Sequence, residues 1–185
     1  MTERISEHIG QTELVICTGD ITRQTTEAIV NAANSGLRGG GGVDGAIHRA
    51  GGPSILKECR DYVRKKGPLP AGEAMWTHGG NLPVRYVIHT VGPIYRSGDE
   101  SAPILASAYR ESLRLAERLN VHSVSFPSIS TGVYGYPFDA AARVAVQAIK
   151  GHLRTGSVLD LVQIVCFTED TFAAFAKAVQ NKDSS

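Results

Sequence analysis

Short apolar runs alternate along this chain with longer segments of helical period. Residues 4–9 and 13–17 read as two strands joined at Gly10-Gln11, and the unbroken Val15-Ile16-Cys17 makes the second the more buried. Residues 28–32 (A-I-V-N-A), 73–78, 85–91 (R-Y-V-I-H-T-V), 123–129 and 160–167 (D-L-V-Q-I-V-C-F) are further strand-like runs. Helical patterns fill the gaps at residues 43–50, 53–66, 102–119, 139–153 and 170–180. In the third of these, Leu105, Ala108, Ser112, Leu115 and Leu119 share one face. In the last, Phe172, Phe175, Ala176 and Val179 follow the i, i+3, i+4, i+7 rule. Pro53 suits a first helical turn.

Strands that alternate with helices predict an α/β fold, with helices on both faces of a mixed, mostly parallel sheet. The two N-terminal strands lie too close in sequence for a crossover and predict an antiparallel edge. The expectation is one domain over residues 1–180, followed by a disordered tail at 181–185. In open α/β sheets, ligands bind beyond the carboxyl ends of strands. The loops after Cys17, after Ala32 and after Ile129 all begin there.

Composition narrows the picture. The 185 residues carry a net charge of +1, from 19 basic and 18 acidic side chains. That gives no field to recruit nucleic acid or an anionic membrane. The three cysteines, Cys17, Cys59 and Cys166, form no C-x-x-C pair and read as free buried thiols of a reducing compartment. Residues 1–10 are charged without an apolar centre, so no secretory signal is expected. No apolar run approaches the length of a membrane span. The expected location is cytoplasmic.

The 20 glycines cluster, and the cluster matters most between Asn31 and Gly52. Gly36, Gly39, Gly40, Gly41 and Gly42 fall between an apolar run and a helical pattern, and Gly45 lies in that pattern's first turn. Glycine there costs entropy and packs nothing, so it makes sense where backbone N–H groups must meet an anion. Asn34 and Asp44 sit inside this stretch and can orient a hydroxyl or polarise a water. The residues therefore point to a phosphate-containing ligand, with Asn34 and Asp44 at its reacting end. Gly40, Gly42 and Gly45 satisfy G-x-G-x-x-G, but not directly after a strand, which argues against a dinucleotide fold. Ser128-Ile129-Ser130-Thr131-Gly132 lacks the first glycine of a nucleophile elbow. None of the six histidines has zinc-ligand spacing. His48 lies one helical turn beyond Asp44 and can share its face. His89 reads as a satisfied core histidine, and Asn31 as a loop brace.

Five ordered motifs carry a resemblance. G-D-I-T at residues 19–22, A-I-V-N-A-A-N at 28–34, G-G-G-G-V-D-G-A-I-H at 39–48, V-I-H-T-V-G-P at 87–93 and P-S-I-S-T-G-V-Y-G-Y-P at 127–137 together resemble the macrodomain family. They are most similar to its MacroD-type branch of ADP-ribosyl hydrolases. The likeness spans residues 13–167 and implies a three-layer α/β/α sandwich. It implies that Asp20 accepts from the adenine amine, with Ile21 beside the ring. It implies that Gly41, Gly42 and Val43 offer N–H groups to the diphosphate and distal ribose, and that Ser130, Thr131, Gly132, Val133 and Tyr134 wrap the diphosphate. Tyr136 would pack on the distal ribose, and Phe167 would touch adenine. Asn34 and Asp44 match the pair associated with hydrolysis. Residues 52–71 are less family-like, and no role carries over to them.

The implied reaction is hydrolysis of the ester on the distal ribose of ADP-ribose, in O-acetyl-ADP-ribose or on mono-ADP-ribosylated Asp and Glu of proteins. Asp44 would activate water, directly or through a substrate phosphate, while Asn34 holds the ribose hydroxyls. No metal or cofactor is implied. The implied partners are ADP-ribose, its esters and ADP-ribosylated proteins, with no membrane. Nucleic acid is not expected beyond ADP-ribosylated ends. The alternative is a module that reads ADP-ribose without turnover.

Overall fold

Apolar runs such as Leu14–Cys17 need cover on both faces, and a sheet between two helical layers provides it. The computed structural model describes residues 3–181. Strands Arg4–Ile9 (β1), Thr12–Thr18 (β2), Ala28–Ala32 (β3), Ala74–His78 (β4), Tyr86–Thr90 (β5), Ser123–Phe126 (β6) and Leu161–Cys166 (β7) form one sheet in the order β1-β2-β7-β6-β3-β5-β4. Strands β2, β7, β6, β3 and β5 run parallel to one another. The expected antiparallel edge is present as β1 on β2. A second one, β4 on β5, closes the other side. Both edge strands return from their neighbours through short connections, which only an antiparallel pair allows.

Helices Gly42–Gly51 (α1) and Pro53–Lys66 (α2) cover one face. Helices Gly98–Arg118 (α3), Phe138–Arg154 (α4) and Glu169–Gln180 (α5) cover the other. The result is the expected α/β/α sandwich. The larger core joins Leu14, Ile16, Val30 and Ile88 of the sheet to Leu105, Leu113, Ile149 and Phe175 of the helices. Each such side chain contributes about 1.5–3 kcal/mol by leaving water. Leu105→Ala in α3 would cost about 2–5 kcal/mol.

Element ends differ from the sequence reading in instructive ways. Helix α3 starts at Gly98 rather than residue 102, because Ser97 caps it by accepting from the Glu100 N–H at 3.2 Å. Pro103, placed in the first turn by the sequence pattern, lies inside the helix. It forgoes the bond to the carbonyl of Asp99, which is exposed. Strand β6 stops at Phe126, three residues before the sequence pattern ends. An unpredicted 3₁₀ turn, Ile21–Arg23, follows β2. Asn181 ends α5 as its C-cap, and residues 182–185 of the expected tail lie outside the described residues.

Candidate functional site

Every loop singled out from the sequence leaves the carboxyl edge of the parallel strands. The loops after β3, β5 and β6 enclose a cleft of ≈ 390 Å³. Its floor is Ala32 at the end of β3 with Ala33 and Asn34 beyond it, and Gly92 beyond β5. Gly40, Gly41, Gly42, Val43 and Asp44 form one wall, and Ser128 to Ser130 with Gly132, Val133 and Tyr134 form the other. Gly92 and Tyr134 also border a second hollow of ≈ 430 Å³ that contains Arg96 and Glu100.

The glycine wall is the start of α1. Its N-cap, Gly41, offers no side-chain acceptor. The first N–H groups of the helix are therefore uncapped at the cleft, where the helix dipole favours an anion. Gly42 has φ +58°, which a side chain would strain, and a Cβ there would meet nothing within 4 Å. This backbone is open to a ligand. Gly92 has a different reason to lack a side chain: a Cβ would stand 2.2 Å from Ser130 Oγ.

Asp44 sits in the first turn of α1 and is 6 % exposed. Its Oδ1 accepts from Asn31 Nδ2 at 2.8 Å, and His48 Nε2 lies 3.3 Å away. A Cβ at Gly40 would stand 3.5 Å from Asp44 Oδ2 and 3.8 Å from Asn34 Nδ2. The two polar groups named from the sequence thus face the same point of the loop. Asn34 also braces that loop, donating to the Gly39 carbonyl at 2.8 Å and accepting from the Arg38 N–H at 3.1 Å. A buried carboxylate with one oxygen held and the other beside a bare backbone can accept a proton from water at the cleft.

Not every predicted residue reaches this cleft. Asp20 and Ile21 lie beyond the end of β2, where Gly19 N–H donates to the Cys166 carbonyl of β7 at 3.0 Å. Phe167 follows directly and is 84 % exposed. These residues stand together beside the cleft rather than in its wall. Asp20 caps the 3₁₀ turn: Oδ1 accepts from the Thr22 hydroxyl at 2.7 Å and the Thr22 N–H at 2.9 Å. Those bonds hold its carboxyl below the usual range. Ile21 is buried in the core beneath α1. Thr131 turns its hydroxyl to Ser128 Oγ at 2.8 Å and does not line the cleft. Ser130 does line it, but its hydroxyl donates to the Pro93 carbonyl at 2.8 Å and its φ is +69°. Val133 is fully exposed at the rim.

Tyr136 is a correction. The sequence reading put its ring over a ribose, yet it is 2 % exposed and absent from the cleft wall. It packs on Tyr95 with ring centroids 4.7 Å apart and belongs to the large core. Its N–H donates to the Ser130 carbonyl at 2.9 Å, which turns the loop back and carries the ring inward. The reading assigned no role to Gly92, Ala33 or Ser128. The V-G-P end of the fourth motif pointed towards Gly92. Ala33 and Ser128 lie inside the second and fifth motifs, but their small side chains carried no signal of their own.

Comparison with known proteins agrees with this geometry. Residues 30–145 match the Macro domain family. The chain is 48% identical to the O-acetyl-ADP-ribose deacetylase of Klebsiella pneumoniae over 168 residues, which is 90% of this chain and 95% of the relative. It is similar to the Oceanobacillus iheyensis macrodomain with ADP, with TM-score 0.93, 44% identity, and 97% and 96% of the two chains covered. It is also similar to the Trypanosoma brucei macrodomain in complex with ADP-ribose, with TM-score 0.82, 41% identity, and 90% and 68% covered. The described residues include no helix long and apolar enough to cross a membrane. By family match, identity and fold together, the chain belongs to the macrodomain family.

Proposed function

We propose that this protein hydrolyses an ester on the distal ribose of ADP-ribose. The observation that carries the reading is Asp44: a buried carboxylate at the uncapped start of α1, with Oδ2 directed to the glycine wall of the cleft. The Gly42 and Val43 N–H groups would bind the diphosphate, fixed before the ligand arrives. Asp20 and Phe167, beside the cleft, would receive the adenine end. Asn34 would hold the ribose hydroxyls. Asp44 would take a proton from water as its oxygen attacks the ester carbonyl. The carbon–oxygen bond to the ribose then breaks, the ribose oxygen regains a proton, and ADP-ribose and a carboxylic acid leave.

The names of relatives and the space beside the cleft support two acyl groups for the ester. Relatives named O-acetyl-ADP-ribose deacetylase support a small acyl group. The second hollow, lined in part by Arg96 and Glu100, supports a larger one, such as an ADP-ribosylated Asp or Glu side chain of a protein. Asn34 is already bonded to its own loop, and this favours a second reading, a module that binds ADP-ribose without turnover. Incubation with O-acetyl-ADP-ribose and with a protein mono-ADP-ribosylated on carboxylates separates the readings. Release of free ADP-ribose from either supports hydrolysis. Tight binding of ADP-ribose with no product from either would leave the reader.

A further inference from the structure

We infer that Asn31, set by His89 and Thr77 behind it, is a positioning residue for Asp44, holding Oδ1, which His48 Nε2 also approaches at 3.3 Å, so that Oδ2 meets the substrate. This role rests on the hydrolase reading above. None of Asn31, Thr77 and His89 lines the cleft, and all are fully buried. They lie on adjacent strands: Asn31 of β3 is paired with His89 of β5, and Thr77 belongs to β4.

The proton order along this chain follows from its far end. Thr77 Oγ1 donates to the His78 carbonyl at 3.0 Å, so its proton is used. It lies 3.0 Å from His89 Nε2 and therefore accepts from it. His89 is then neutral with its proton on Nε2, and Nδ1 must accept. Burial pushes the His89 pKa down to about 3, in keeping with a neutral ring. Asn31 Nδ2 lies 3.1 Å from that Nδ1 and 2.8 Å from Asp44 Oδ1. Its two amide protons serve these two acceptors. A turned amide would set a carbonyl oxygen against both a ring lone pair and a carboxylate. His89 thus fixes which way Asn31 faces, and Asn31 fixes Asp44 Oδ1 as an acceptor. Asn31 Oδ1, buried with no partner, takes no part in holding the carboxylate.

Thr77→Val tests this with little change of shape. It leaves Cys59 Sγ, at 3.9 Å, as the polar group beside His89 Nε2. A thiol is only a weak donor and a weak acceptor, so the Nε2 proton loses its firm partner and the ring tautomer is no longer fixed. A ring with its proton on Nδ1 calls for the Asn31 carbonyl in place of the amide nitrogen, and that carbonyl faces Asp44, so the carboxylate loses its fixed donor. The turnover number on O-acetyl-ADP-ribose should fall about tenfold or more. The ADP-ribose dissociation constant should stay that of the wild type. Thr77→Ser, which restores the hydroxyl, should recover the rate. His89→Leu and His89→Asn make a second pair, because Asn offers a carbonyl near the place of Nδ1. The Leu variant should lose rate and the Asn variant should regain most of it, so the test stands even where Thr77→Val does not fold.

Folded Thr77→Val and His89→Leu proteins that turn over at the wild-type rate would overturn the role. So would losses that appear only in melting temperature, or equally in both members of each pair. Asp44→Ala run alongside separates the two claims. A fully active Asp44→Ala sinks the hydrolase reading itself. An inactive Asp44→Ala beside an active Thr77→Val sinks only the positioning role.

Discussion

Replacing Tyr136 by alanine should unfold the protein more readily before it says anything about catalysis. The ring is 2 % exposed, packs at a tilt on Tyr95 with 4.7 Å between centroids, and fills the core shared by the sheet and α3, α4 and α5. Truncating a buried aromatic costs about 3–5 kcal/mol, from lost burial and from the cavity left behind. Against a total of about 5–15 kcal/mol for an ordinary domain, that is a large part. The melting temperature should drop by about 6–20 °C, and the urea midpoint should fall with its slope unchanged. Tyr136→Phe keeps the ring and should lose less than about 1 kcal/mol. Urea unfolding followed by circular dichroism measures both. A Tyr136→Ala protein as stable as wild type but slow in turnover would refute the core assignment and restore the ribose-facing role.

Other outcomes are as direct. ADP-ribose at 100 times its dissociation constant should stabilise the protein by about 2.7 kcal/mol, seen as a rise in melting temperature, and AMP should do less because it lacks the second phosphate and distal ribose. No shift with saturating ADP-ribose would contradict the cleft assignment. His89 is held at a pKa of about 3 by burial, against an ordinary 6.5, so the unfolded chain takes up a proton that the native state refuses. Stability should therefore fall as pH drops from about 6.5 towards 3, by up to about 1.4 kcal/mol per unit from this residue, and His89→Leu should show a slope shallower by that amount. Burial pushes the Cys59 and Cys166 thiols up to about 12 and raises that of Cys17. A thiol reagent at pH 8 should label the native protein little and the denatured protein at all three sites.

The sequence was most informative where one local rule decided the outcome. Residues 4–9, 28–32 and 53–66 read correctly because alternation, a short β-branched apolar run and Pro53 at a helix start each act within a few positions. The start of α3 was placed four residues late because its apolar period begins only at Leu105, while the true cap, Ser97, sits in a polar stretch with no apolar period. The cleft was legible as a glycine cluster with Asn34 and Asp44 inside it. Its inner support was not: Asn31, His89 and Thr77 lie on separate strands, and only sheet register brings them together. Tyr136 failed for a similar reason. Its neighbours Gly135 and Pro137 mark a loop, but the inward turn comes from a bond to Ser130 that local sequence does not show.

The central claim is that Asp44 serves the chemistry and the loop backbone serves the binding. One paired measurement on Asp44→Ala tests it: single-turnover release of ADP-ribose from O-acetyl-ADP-ribose, and the dissociation constant of ADP-ribose by calorimetry. The rate should fall by roughly 10²-fold or more, the loss expected when a general base is removed. The affinity should stay near that of the wild type, because the N–H groups of α1 remain. An Asp44→Ala protein that hydrolyses as fast as wild type, or one that loses rate only because it no longer binds ADP-ribose, would contradict the account.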